Sequence, residues 1–473
     1  MAVFTVVAPA RGDPSPVSVA VLQQDNWNDF SFQTQYHLFV NTPEFSGLVG
    51  SVKILRRGQV STDGLQLQVG TLPPLDENYC SVGQGLDYYE RLAQVPETIR
   101  GEILGHLRDA LVYPDHAESF YGEEGWRVSV LRDIDWETFR RDASVLLDRD
   151  YDRVAWLGLN LSFQMQGWSA PLTLRFDAPG DLQFLMPGIA SKLPERVAVL
   201  TGRNGSGKST LLARLARVLH ATQRDRGSED LLRLGSIDPP GIGFTRVLNI
   251  AYSAFDAFQI PGVDEKERRQ IAEDIKRGTG RYHFCGLRDI ARELEEGLDA
   301  ARDALSPDLD AILSDRQHRT LLKSVDQLAG EFARTIEDIF KEGRHDLFAA
   351  VVGILASDQS FADLGDNPAS AISQDPAARF AHWSTGHKIV MHAACSMVAY
   401  TQAKSIVLID EPESHLHTAP RCVHACRAPD SGEKRRLRGR SHSFACGCAG
   451  NAWTACLSRQ AKWSRHDDQP AAD

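Results

Sequence analysis

The sequence predicts an α/β fold, and three observations carry that expectation. A short apolar run, Val197–Leu200, leads through a glycine-rich loop into an amphipathic helix. A second apolar run, Ser405–Ile409, ends on two adjacent carboxylates, Asp410 and Glu411. Between them lie a strand-like run, Gly243–Ala251, and long stretches with helical spacing of apolar residues.

The elements follow in order. Residues 1–153 read as a mixed α+β region, with short strands at Val17–Leu22 and Ser51–Ile54 and helices at Asp87–Leu92 and Glu97–Leu111. Gly70–Pro74 punctuates them. Trp27–Phe30 and Ser81–Gly85 stand out, and read as core aromatics and turn glycines. Residues 154–262 form the first part of the α/β core. Val154–Phe163 and Leu172–Phe176 alternate as antiparallel strands do, and Val197–Leu200 has the continuous apolar character of a buried strand. A helix then runs through Leu211, Leu212, Leu215 and Val218. Residues 263–345 read as a helical insertion, with apolar periodicity at Glu293–Ala304 and Gln317–Phe340 and charge runs that suit a solvated helix face. Residues 346–417 complete the core with a helix at Ser384–Tyr400 and the strand before Asp410, and 418–473 form an atypical tail.

Composition bounds the function classes. A chain of 473 residues has room for two or three domains. Its net charge of −11 gives no global basic field to recruit nucleic acid. The amino terminus lacks a basic, then apolar leader, and no apolar run reaches membrane-spanning length, so a cytoplasmic protein without a membrane partner is expected. Cys80, Cys285 and Cys395 are scattered, as in a reduced chain; the other five cysteines crowd into the tail.

Gly202-Arg203-Asn204-Gly205-Ser206-Gly207-Lys208-Ser209 satisfies every fixed position of G-x-x-x-x-G-K-[ST], the phosphate loop or Walker A motif. Glycines let backbone wrap a phosphate without Cβ clashes, and the N–H groups at the following helix start form an anion site. Lys208 is expected at the β/γ-phosphates of ATP, Ser209 at Mg²⁺, and Thr210 at the α-phosphate. The fold expected is therefore a P-loop nucleotidase core with an inserted helical subdomain. Asp410, at a strand end, suits the Mg²⁺ shell, and Glu411 suits a general base that activates water. Pro412 then breaks the strand.

With Ser384-Thr385-Gly386-His387, Asp410-Glu411-Pro412-Glu413 and Ser414-His415-Leu416-His417, the region Leu172–His417 resembles ABC-class ATPases of the RecF/SMC/OLD kind. It is most similar to bacterial AAA-family ATPases whose Walker B motif reads D-E-P-E-x-x-L-H. The resemblance implies a homodimer closed around ATP, with Ser384 and Gly386 reaching the γ-phosphate held by the partner protomer and Lys388 assisting. It places Ser414–His417 at the dimer interface and Tyr252–Asp256 at the family's Q-loop, where a plain Gln is missing and Ser253 or Asp256 would take the Mg²⁺ or water role. It further implies an effector protein, in DNA repair or anti-phage defence.

The tail departs from the family. From Thr418 onward the sequence shows no further strand and no switch histidine. Cys422, His424, Cys426, Cys446 and Cys448 offer zinc ligands, but without C-x₂-C pairs. A second reading is a change of reading frame near His417–Pro420. Back-translating Ser441–Arg465 and reading from the second base of each codon permits a peptide containing T-H-S-P and a following strand, as the family requires. As written, the chain would leave the Asp410 strand at a sheet edge. Three functions compete: an ATPase driving an effector, a non-hydrolysing ATP-binding regulator, and a transporter motor. The long region before the phosphate loop and the missing Gln argue against the last.

Overall fold

The computed structural model describes residues 3–10, 13–151, 160–174, 198–200, 202, 205–303, 316–317, 319–356, 361, 364–365, 367–411 and 452–455. The architecture is mixed α/β, with an amino-terminal sheet region followed by a P-loop core and helices. Six strands form the first sheet: β1 (Phe4–Val7), β2 (Ala20–Gln24), β3 (Gln35–Asn41), β4 (Ser46–Arg56), β5 (Gly70–Thr71) and β6 (Tyr79–Gly83), in the order β5-β1-β2-β3-β4-β6. Helices α1 (Leu86–Leu92), α2 (Glu97–His106) and α3 (Trp136–Asp148) belong to the same region, and α1 packs on β4 and α3. Helix α2 stops short of the expected Leu111, because Arg108 turns left-handed at φ 54°.

Two sequence expectations change here. Trp27 and Phe30 are not core aromatics: they are 51% and 69% exposed, and Asp29 between them is buried. Phe30 and Ser31 occupy a two-residue turn with both φ values positive, which turns the ring outward. The Ser81–Gly83 segment is a strand, not a turn. Gly83 is needed there because a Cβ would lie 2.1 Å from the Tyr88 ring packed on it.

The antiparallel strands β7 (Leu161–Met165) and β8 (Leu172–Leu174) form a second sheet with β9 (Gly235–Asp238). The core sheet has the order β11-β10-β12-β13, all parallel, from β10 (Arg246–Ala251), β11 (Tyr282–Gly286), β12 (Ser405–Asp410) and β13 (Ala452–Ala455). Its flanking helices are α4 (Lys208–His220), α5 (Glu265–Arg277), α6 (Ile290–Asp303), α7 (Val325–Lys341), α8 (His345–Ala356) and α9 (Thr385–Tyr400). Both faces are covered, as parallel sheets require. Val407 packs into one hydrophobic cluster with α7, α8 and α9, whereas Ile406 and Leu408 pack into another with Leu211, Leu215 and Leu219 of α4. Each of those leucines contributes about 1.5–3 kcal/mol by burial.

The segment 263–345 is not wholly helical. Strand β11 lies within it and belongs to the core sheet, in register with β10. A strand buried on both faces shows no period-two alternation, and Tyr-His-Phe-Cys-Gly lacks the aliphatic run that marked β12. Ala198–Leu200 pack half-buried against the α4 side but carry no strand pairing among the described residues. Ala452–Ala455 pair with Ser405–Leu408, so the tail does supply a strand and the β12 edge is covered, against expectation. Open ladder groups on β12 recruit whatever short extended segment can reach them. The rest of the tail, with the zinc and frame-change readings, lies outside the described residues. So do residues 152–159, 175–197 and 304–315.

Candidate functional site

Leu211, Leu215 and Leu219 recur at helical spacing and bury against β12, which fixes the direction of α4 and aims its first turn at the strand's carboxyl end. The loop before it depends on its glycines in different ways. Gly205 and Gly207 sit at φ 78° and 88°, a region costly for other residues. Gly202 has an ordinary φ, but a Cβ there would meet Ser206 Oγ at 2.6 Å. The result is a tight turn ending on the open N–H groups of a helix start. Arg203 and Asn204 lie outside the described residues. Lys208 Nζ donates to the Gly202 carbonyl at 3.0 Å, folding the ammonium back over the loop.

Ser209 Oγ donates to Asp410 Oδ1 at 3.1 Å across 201 residues of chain. The phosphate loop and the acidic strand end therefore meet as the two motifs require. Asp410 closes β12 opposite Ala251, the last residue of β10. Glu411 follows at φ 48°, a left-handed conformation that costs a non-glycine residue about 1 kcal/mol. Such strain persists where surrounding structure holds it, and here it falls next to the carboxylate at the strand end.

The Asp410 carboxyl is pushed above its ordinary value by burial and by the neighbouring Glu411 and Asp256 carboxylates, against the Ser209 hydrogen bond and the Lys208 charge. The site is thus short of positive charge. A hydroxyl beside a half-buried carboxylate is an oxygen donor pair suited to Mg²⁺, which takes few protein ligands and completes its shell with water and phosphate oxygens. Among the described residues no cluster of three or more His, Cys, Asp or Glu side chains could hold a metal by itself.

A cavity beside the pair is lined by Ser209, Asp410, Asn249, Asp256, Gln259 and Arg288. Asp256, one of two residues expected at the Q-loop in a Mg²⁺ or water role, is in this wall; Ser253 is not. Arg288 and Gln259 were missed, since nothing in their local sequence marks them. Ser384 is exposed and caps α9, accepting from the His387 N–H at 3.4 Å, and Gly386 lies in that helix's first turn. Thr210 is half-buried in the first turn of α4, and Lys388 is half-buried in α9. Pro412, Glu413 and Ser414–His417 lie outside the described residues.

A glycine cradle at a helix start, a lysine, and a Ser–Asp pair at a parallel strand end define a P-loop nucleotide site. Residues 197–421 match the family described as "AAA domain, putative AbiEii toxin, Type IV TA system". Residues 197–421 are accordingly similar to AAA-family P-loop nucleotidase domains, a class that binds and hydrolyses nucleotides in general. The chain is also similar to Protein ea59 of Escherichia phage lambda, at 26% identity over 416 residues, covering 84% of this chain and 72% of that protein. No solved structure matches. Among the described residues, no helix is long and apolar enough to cross a membrane.

Proposed function

We propose that the chain binds ATP with Mg²⁺ and hydrolyses it, and that the observation carrying this reading is the Ser209–Asp410 contact between motifs remote in sequence. The N–H groups of the loop and the α4 start take the phosphate oxygens. Lys208 exchanges the Gly202 carbonyl for the β/γ-phosphates. Ser209 and Asp410 would hold Mg²⁺, which would supply charge neutralisation at the phosphates. Glu411 accepts the proton of the attacking water as the new P–O bond forms and the β–γ bridge breaks, with ADP leaving. Nucleotide titration and phosphate release on the purified chain test this. Lys208→Ala should lose binding and Glu411→Gln should keep binding without turnover. Equal turnover in parent and Glu411→Gln would overturn the hydrolytic role.

The finer reading is an ABC-type ATPase of the RecF/SMC/OLD kind that closes as a homodimer around ATP. It is supported by the motif order and by the exposed position of Ser384 at a helix start. Closure would move the amino-terminal region and the helices after β10 against an effector protein. Sedimentation of Glu411→Gln with and without ATP tests the dimer; a monomer under both conditions rejects it.

A second reading, a non-hydrolysing ATP-binding regulator, is favoured by the tail. The family match stops at residue 421, beside the stretch where a change of frame would remove the switch histidine. Sequencing the gene from the Asp410 codon onward decides whether an alternative frame encodes it.

A further inference from the structure

Arg288 is a large side chain, 1% exposed, at the end of the core sheet that carries the nucleotide site. It lies two residues past the end of β11, and its guanidinium divides between two walls. On one side Nε and Nη2 donate to the Glu293 carboxylate at 3.1 and 2.6 Å, and Nη2 also donates to Gln317 Oε1 at 3.3 Å. On the other, Nη1 donates to the Phe258 carbonyl at 2.7 Å and to Asp256 Oδ1 at 3.4 Å. Asp256 Oδ1 also accepts from the Phe258 N–H at 3.1 Å, so the carboxylate is held at the tip of a tight turn.

That turn is stitched to a distant segment. The Gln317 N–H donates to the Ala257 carbonyl at 2.7 Å, Phe258 bridges to Arg316, and Arg316 lies over the Phe258 ring at 4.4 Å. The Leu321 N–H donates to Glu293 Oε1 at 2.8 Å. One guanidinium thus serves two buried carboxylates, Asp256 and Glu293. Burial of both acids makes the loss of this one cation costly. Asp256 lines the same cavity as Ser209 and Asp410, so an acid that needs a cation is kept next to a site that binds one.

We propose that Arg288 is a positioning residue for the divalent cation of the phosphate site: it holds the Asp256 carboxylate beside the Ser209–Asp410 pair and joins that carboxylate to Glu293 of α6 and to Gln317. The proposal rests on the ATP reading above. Asp256 adds an acceptor for the water shell of the ion, and Arg288 keeps it from swinging away. Lysine keeps the charge at this position but lacks the fork that reaches both acids.

The test is binding of a fluorescent ATP analogue titrated with Mg²⁺ in the parent, Asp256→Asn and Arg288→Lys, with thermal melting as a fold control. Both variants should need roughly tenfold more Mg²⁺ for half-maximal binding, the effect of removing an outer partner of a metal ligand. Binding without Mg²⁺ should stay within about twofold, a split that a merely structural defect would not produce. If Arg288→Lys fails to fold, Asp256→Asn decides alone, since it leaves the Arg288–Glu293 pair in place. Variants that titrate as the parent does overturn this inference and leave the ATP reading standing. A parent that binds no nucleotide at any Mg²⁺ concentration overturns both.

Discussion

The two ends of the same parallel strands treat charge in opposite ways. At their amino ends the core presents Arg246, Arg281 and Lys404 to acids of the amino-terminal region: Glu90 at 3.0 Å, Asp87 at 2.8 Å and Asp142 at 2.7 Å. Arg91 pairs in the reverse sense with Asp274 at 2.9 Å. At the carboxyl end, roughly 17 Å away along β12, Asp410 takes its hydrogen bond from a hydroxyl and faces two further carboxylates. Burial opposes the charge on Asp87 too, yet His220 and Arg281 hold it well below the usual carboxylate range. For Asp410 nothing among the described residues outweighs burial, and its carboxyl stays raised. Charges that are matched within the chain join two regions. A charge that is left under-matched is available to a ligand.

The largest expected effects lie at the under-matched end. Glu411→Gln should cut ATP turnover by about 10²–10⁴-fold while nucleotide binding persists, read by phosphate release beside a binding titration. Mutations at the matched end should leave that ratio alone and act on folding instead. Glu90→Ala strands Arg246 in the interior and should cost about 3–5 kcal/mol in a denaturant melt. A Glu90→Leu/Arg246→Met double variant should recover much of it, because an apolar pair carries no desolvation penalty. Full loss in the double variant would show that shape, not charge, holds the seam.

Asp109 sharpens the contrast, as a buried acid with no base in contact. It accepts from the Leu111 N–H at 2.9 Å and from the Tyr89 hydroxyl at 3.2 Å. Burial pushes its carboxyl up to about 7 from 3.8. The folded chain therefore keeps a proton that the unfolded chain has lost. That stability is complete below about pH 4 and is lost as pH rises through 7, a contribution of at most about 4 kcal/mol. Asp109→Asn should flatten this window in melts at several pH values; an unchanged slope would assign the pH dependence elsewhere. The smallest effect belongs to the exposed pair Arg269–Glu265, where Arg269→Ala should cost about 0.3–0.5 kcal/mol in the same melts.

Much of the nucleotide site could be read before any coordinates. The glycines at 202, 205 and 207 are demanded by backbone geometry within a few residues, so they leave a local imprint. Helix α4 and strand β12 were legible because apolar spacing is also local. Strand β11 was not, because a short buried strand containing His283 has no distinctive period. Trp27 and Phe30 misled, since two aromatics in a row of polar residues look like core until the turn conformation that exposes them is known.

By itself the sequence determined which side chains could do the chemistry: a lysine and serine after a glycine loop, and an aspartate and glutamate after an apolar strand. Their residue types are constrained by the reaction and by backbone strain, both of which act at short range. Only the tertiary structure decided that Ser209 meets Asp410, that Arg288 stands behind Asp256, and that Arg246, Arg281 and Lys404 are each answered by an acid. Those pairings depend on the register of parallel strands and on the packing of remote segments, where the cost of a buried unmatched charge acts between residues far apart in the chain.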